Sequence, residues 1–151
     1  MKRRSFLLWS GLSCSSLLGM DFHETAKEAW EARTLNDAAL KLYGKEKFTT
    51  LSKSNEVVIE ADKFIVPDQM QIPIRFYSAI EAKSVAIFQT ANEQSLVAVF
   101  ELNENMIIDY TLNIFMQMKG TLFVVIEGIN GKLYYTRHYI DVNSMNCLAG
   151  G

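Results

Sequence analysis

From Val57 to Val142 the apolar residues of this chain recur at a period of two, and that period limits the fold more than any other feature. Side chains alternate across a strand, so an apolar residue at every second position puts one face on a core and the other in water. Val57-Val58-Ile59 reads as a short strand, followed by the turn-prone Val66-Pro67-Asp68. Ile72 to Tyr77 alternates, with Pro73 restricting it to a sheet edge or a strand start. Val85-Ala86-Ile87-Phe88 and Val97-Ala98-Val99-Phe100 flank the loop Asn92-Glu93-Gln94-Ser95. Tyr110, Leu112, Ile114, Met116 and Met118 share one face of a long strand, with Thr111, Asn113 and Gln117 on the other. Thr121 to Ile126 is apolar and β-branched throughout, as in a strand covered on both faces. Asn130-Gly131 gives a tight turn, and Leu133 to Val142 returns as the last strand. Seven short strands with regular turn signals predict an all-β fold, an antiparallel immunoglobulin-like sandwich over 56–142.

The segment before the strands, 20–55, follows another pattern. Residues 21–33 are mixed and charged, anchored by Trp30, and read as irregular with a helical turn. Thr34 with Asp37 three residues on resembles a capping box. Leu35, Ala39, Leu42 and Tyr43 then fall at helical spacing before Gly44, which predicts a short helix over 34–43. Residues 45–55 read as a polar connector, and no internal repeat is present.

The termini speak to location. Lys2-Arg3-Arg4 precedes an apolar run from Phe6 to Leu18 that contains no acid. That run falls short of the roughly 20 apolar residues of a spanning helix and fits an export signal, assigned here to 1–19. Arg3, Arg4, Phe6 and Leu7 match the twin-arginine pattern, a receptor-read export address. A lipoprotein site at Cys14 is disfavoured, because Gly11 stands where a branched apolar residue is expected. The chain is therefore expected to be periplasmic, with no membrane anchor and cleavage near residues 19–22. Its 15 basic and 17 acidic residues become 12 and 17 once Lys2, Arg3 and Arg4 are removed, a net charge of −5. Without a basic cluster, no nucleic-acid partner is expected.

Little in the body suggests catalysis. His23 and His138 are far apart, and no His/Cys/Asp group has metal-ligand spacing. No nucleophile elbow, phosphate loop or H-E-x-x-H helix is present. Glu101, Glu104 and Asp109 read as solvated strand ends, His138 as a surface or satisfied histidine, and Met106 to Met118 as core. A copper-binding role for those methionines is the lesser alternative.

The tail 143–151 is more informative. Cleavage of the signal leaves Cys147 as the one cysteine, on the ending Asn-Cys-Leu-Ala-Gly-Gly. An unpaired cysteine in an oxidising compartment suggests intermolecular pairing or a reactive thiol. Five residues past Val142, an extended chain at about 3.4 Å per residue carries that thiol roughly 17 Å from the last strand. An exposed cysteine away from positive charge titrates near about 8.5, so activation would come from a partner's pocket. The alternative is an incidental tail whose cysteine is inert or merely forms dimers.

The ordered segments resemble the SoxY family, sulfur-carrier subunits of the periplasmic thiosulfate-oxidising Sox system. The resemblance runs from the twin-arginine signal through Asp21-Phe22, Ala29-Trp30, Asp37-Ala38-Ala39 and Leu42-Tyr43-Gly44. It continues through Ile72-Pro73-Ile74, Ala82-Lys83-Ser84-Val85, Val97 to Phe100, Asp109 to Leu112 and Glu127 to Tyr134. It implies an immunoglobulin-like sandwich paired in a heterodimer with a SoxZ-like sandwich subunit. It also implies a flexible C-terminal arm with thiosulfate-derived sulfur held covalently on Cys147. No other cofactor is implied, since the sulfur adduct on Cys147 is itself the cargo. The partners implied are a SoxXA-like c-type cytochrome, a SoxB-like sulfate-releasing hydrolase and, in some systems, a SoxCD-like dehydrogenase. The family arm reads Gly-Gly-Cys-Gly-Gly. Here Met145-Asn146 precede the cysteine, and Leu148-Ala149 separate it from Gly150 and Gly151. The second reading is a noncatalytic binding or scaffold sandwich that no longer carries sulfur.

Overall fold

The structure is a computed structural model that describes residues 26–65 and 71–142. The segment read as an export signal, with Arg3, Arg4, Phe6 and Leu7, lies outside the described residues. So do His23, the Val66-Pro67-Asp68 turn and the arm with Cys147, Gly150 and Gly151.

Among the described residues two helices lead into nine strands: α1 (Lys27–Glu31), α2 (Leu35–Phe48), β1 (Ser52–Lys53), β2 (Val57–Ala61) and β3 (Phe64–Ile65). Then come β4 (Ile72–Ser78), β5 (Ala82–Gln89), β6 (Leu96–Glu101), β7 (Ile108–Ile114), β8 (Gly120–Gly128) and β9 (Leu133–Val142). The larger sheet is ordered β1-β9-β8-β5-β6, with β3 also beside β9, and the smaller is β2-β4-β7. The two sheets pack as an immunoglobulin-like sandwich.

Alternation explains the packing. In β4, Ile72, Ile74 and Phe76 are fully buried while Pro73 and Arg75 are exposed. They meet Val85 and Ile87 of β5, Leu122, Val124 and Ile126 of β8, and Ile140 of β9 in one core between the sheets. Each such side chain contributes about 1.5–3 kcal/mol relative to an exposed one. The other face of the large sheet carries a second core. Ala86, Phe88, Val125 and Leu133 lie beneath Ala29, Ala38, Ala39 and Tyr43 of the helices. Small alanines let the helices sit close, and their cover is why β5 and β8 are apolar on both faces.

Thr34 caps α2 by accepting from the Asp37 N–H at 3.2 Å. The helix breaks at Gly44, as its sequence predicts, and a second short helical segment follows. Gly44 takes φ 80° and ψ 161°, a kink, and the helical turn resumes through Lys45–Phe48. The connector assignment for 45–55 is corrected accordingly, and it also contains β1.

Two further expectations are corrected, and one on Pro73 is met. The sandwich is not wholly antiparallel, because β1 and β3 both pair parallel with β9. The chain crosses to the small sheet as β2 between them, closing that side of the sandwich. Pro73 stands at the start of β4, one of the two places its sequence allows, where β2 has already ended at Ala61 opposite Ile74. Last, β7 ends at Ile114, so only part of the methionine run is core. Met116 is buried, while Met106 and Met118 stand on loops, exposed.

Candidate functional site

The candidate site is the end of the sandwich from which the chain leaves β9 toward Cys147. Gln89, Leu96, Ile114, Gly120 and Val142 all stand at that end, as the strand registers require. The root of the arm is held on both sides. Ile140 pairs with Gly120 of β8, and Asp141 and Val142 pair with Phe64 and Ile65 of β3. The Asp141 N–H donates to the Lys63 carbonyl at 2.8 Å, and Val142 packs on the inter-sheet core.

The neighbouring loops are braced by side chains. Asn92 in the β5–β6 loop donates from Nδ2 to the Phe115 carbonyl at 2.8 Å. Its Oδ1 accepts from the Gln117 N–H at 2.8 Å, so one amide ties this loop to the β7–β8 loop. Thr90 Oγ1 accepts from the Thr121 N–H at 2.9 Å. Gly120 permits that approach, because a Cβ there would stand 2.9 Å from the Ala91 nitrogen. Beneath the loops Gln89 is 3% exposed, with Nε2 donating to the Gln94 carbonyl at 3.3 Å and Oε1 without a partner. At the surface Arg33 pairs with Glu93 at 2.7 Å.

The other polar groups lie apart from this end. Near the opposite end, buried Glu127 accepts from Lys47 Nζ at 2.5 Å and from Ser84 Oγ at 3.2 Å. The Tyr43 phenol beside them is raised well above its ordinary pKa by burial, with Ser84 opposing in part and Glu127 adding to it. Its hydroxyl makes no hydrogen bond of full geometry. On the outer face of the small sheet Arg75 bridges Asp109 and Glu60 and stacks over the Tyr77 ring at 5.0 Å.

Of the residues singled out in the sequence, Glu101, Glu104 and Asp109 are exposed, and they form no acid pair. Asp109 is taken up by Arg75. His138 is half-buried, and its Nε2 is buried without a partner among the described residues, which corrects the satisfied alternative of its reading. Among the described residues no group of three His, Cys, Asp or Glu could hold a metal ion. No described helix is long and apolar enough to cross a membrane. Sequence reasoning missed the Asn92 clamp and the Lys47–Glu127–Ser84 cluster. An Asn in a loop was visible as turn chemistry, but its partners come from a loop some 25 residues on, and nothing local identifies them.

Comparison with known proteins gives one family. The model for sulfur oxidation protein SoxY matches residues 40–147, a stretch that includes Cys147. No curated protein sequence matches the chain. Among solved structures, the sulfur carrier protein SoxY from Chlorobium limicola f thiosulfatophilum is similar at TM-score 0.64 and 24% identity. That match covers 73% of this chain and 96% of the other. A superoxide reductase (neelaredoxin) variant from Ignicoccus hospitalis is similar at TM-score 0.55 and 12% identity, covering 63% of this chain and 96% of that one. A putative superoxide reductase from Thermotoga maritima follows at 0.54 and 13%, covering 62% and 95%. At these identities the structural matches speak to the fold alone.

Proposed function

The chain belongs to the SoxY family of sulfur oxidation proteins, and on that premise we propose that it is a noncatalytic periplasmic sulfur carrier with Cys147 as its attachment point. The observation that carries this reading is positional. The family match extends to residue 147, five residues past the braced end of β9, on a chain with one cysteine outside its export signal. A thiol on an arm of roughly 17 Å reach can enter another protein's active site while the sandwich stays outside.

The chemistry balances as a carrier cycle. The Cys147 thiolate and the outer sulfur of thiosulfate join in a new S–S bond, and the two electrons released pass to a c-type cytochrome. Water then cleaves the bond to the terminal sulfonate sulfur in a hydrolase. Sulfate and two protons leave, and a persulfide stays on Cys147. Where a sulfur dehydrogenase is present, it oxidises that remaining sulfur. The carrier supplies only the thiol, its reach and its docking surfaces.

Export by the twin-arginine route through Arg3, Arg4, Phe6 and Leu7, and pairing with a SoxZ-like sandwich subunit, complete the proposal. Supporting the partner is the family's place in the Sox system. Met145, Asn146, Leu148 and Ala149 give this arm more bulk than glycines on both sides of the cysteine would, since glycine alone moves freely through positive φ. The partner enzymes of this chain are accordingly expected to have wider entrances than those serving a diglycine arm. Sulfur loading compared between the wild type and Cys147→Ser tests the carrier reading. Loading that is equal in both, or absent from both, would leave a scaffold subunit in its place.

A further inference from the structure

Along most of its length β9 is held by β8, from Leu133 opposite Glu127 to Ile140 opposite Gly120. There the pairing stops. Residues 115–119 before Gly120 belong to the β7–β8 loop, which Asn92 ties to the β5–β6 loop instead. Among the described residues, Asp141 and Val142 are therefore paired by β3 alone, Phe64 with Asp141 and Ile65 with Val142, both parallel. The ladder alternates, so the Ile140 N–H turns to β8. The Asp141 N–H turns the other way and donates to the Lys63 carbonyl at 2.8 Å.

That hold is slight. A two-residue strand makes few hydrogen bonds, and parallel pairs are slightly less stable per residue than antiparallel ones. β1 is equally short, but the residues it meets, Tyr134 and Tyr135, also pair with Ile126 and Val125 of β8. Asp141 and Val142 have no such second side. Val142 packs on the inter-sheet core but is only half-buried. Asp141 has no ion-pair partner among the described residues. Segments with few buried contacts open locally, at the low end of a protein's stability range. One residue earlier the position is different. Ile140 is fully buried in the inter-sheet core. Its partner Gly120 sits against Ala91, and the next residue, Thr121, is held through its N–H to Thr90 Oγ1 at 2.9 Å.

We propose that β3 is a releasable strap on the root of the arm, and that opening it gives the arm a second, longer setting. The proposal rests on the reading of Cys147 as a sulfur carrier. With β3 in place the last held residue is Val142, five residues before Cys147, and an extended arm reaches about 17 Å. With β3 released the last held residue is Ile140, seven residues before Cys147, and the reach becomes about 24 Å. The extension ends there because β8 and the core anchor Ile140. A partner enzyme whose reacting group lies deeper than the short arm reaches binds the long setting alone. That difference in affinity draws the strap open. An enzyme with a shallow site leaves it closed. One arm is thereby fitted to entrances of two depths without any change in the sandwich.

The test is backbone amide exchange, followed by NMR, on the exported protein with its thiol reduced and on Cys147→Ser. Because Cys147→Ser cannot hold sulfur, the result stands or falls apart from the carrier reading. In both proteins the Asp141 amide is expected to exchange roughly 100-fold or more faster than the Ile140 amide. Ile65→Pro removes the N–H that a parallel ladder gives to the Asp141 carbonyl. It is expected to speed exchange at Asp141 by roughly a further ten-fold, and to leave Ile140 and the melting temperature unchanged. A spin label on Cys147 is read against one on Lys53→Cys, an exposed position on β1. Ile65→Pro is expected to add distances up to about 7 Å longer. Asp141 and Ile140 amides that exchange at one rate, fast or slow, overturn the proposal. So does an Asp141 amide that Ile65→Pro leaves unchanged, or a distance distribution that is the same with and without that substitution.

Discussion

Arg75 holds Asp109 through two parallel hydrogen bonds, Nε to Oδ1 at 2.9 Å and Nη2 to Oδ2 at 2.8 Å, diagonally across the β4–β7 pair. Bidentate geometry of this kind gives direction as well as energy. It holds the Asp109 carboxyl below the usual carboxylate range, the hydrogen bonds from Arg75 being the largest cause. A carboxylate with a depressed folded pKa stabilises the fold above its unfolded pKa, and that stability is lost as pH falls through the folded value. Asp109→Asn is therefore expected to lower the melting temperature at neutral pH, with the gap narrowing below about pH 4 and closing as pH falls through the lower folded value. Both groups are at the surface, so added salt should narrow the gap as well. Melting curves over a pH series check this. A gap that persists in acid would contradict it.

Two glycines separate conformational strain from steric overlap. Gly44 adopts φ 80° and ψ 161° with open space where a Cβ would stand. Only glycine visits that region readily, so Gly44→Ala is expected to cost about 1–3 kcal/mol through the backbone alone. Gly120 has ordinary dihedrals but no room beside Ala91. Gly120→Ala is expected to cost about 1–3 kcal/mol by overpacking. Urea unfolding measures both. The additional Ala91→Gly change removes the side-chain part of the overlap, so it should recover some of the Gly120→Ala loss and none of that at Gly44.

Glu127 is buried at the junction of β8 with the turn that follows Gly44, bonded to Lys47 and Ser84. Truncation to Ala leaves the Ser84 hydroxyl without its partner and frees the Lys45–Phe48 turn. The expected loss is about 1–3 kcal/mol, kept modest because Lys47 is partly in water. Glu127→Gln keeps an acceptor for Lys47 and an NH2 that can donate to the Ser84 hydroxyl, and should lose less. Equal losses for the two variants, by the same unfolding measurement, would show that charge and not hydrogen bonding holds the turn.

How much of this was legible in the sequence depends on where the cause of each element lies. β4 could be read because Ile72, Ile74 and Phe76 alternate with Pro73 and Arg75, and one face is buried. The unbroken apolar run of β8 correctly implied cover on both faces, which the alanine-rich side of α1 and α2 supplies. β1 and β3 could not be read. Two residues carry no period, and both form only because β9 offers them an edge. Met118 was placed on a strand face by extending a period of two past Ile114, where the chain in fact turns into the loop held by Asn92. Cys147 was singled out by elimination, as the one cysteine outside the segment read as an export signal, and it lies outside the described residues. The brace at the root of its arm was not, since Asn92, Ala91 and Gly120 meet only through the fold.

The central claim is that Cys147 carries sulfur. The most direct measurement is the intact mass of the exported protein from periplasm of cells grown on thiosulfate, taken without reductant beside the Cys147→Ser variant. The account predicts reducible sulfur adducts on the wild type and none on the variant, with the same melting curve for both. A bare thiol or a plain disulfide dimer, under conditions that load a Gly-Gly-Cys-Gly-Gly carrier in the same cells, would contradict it.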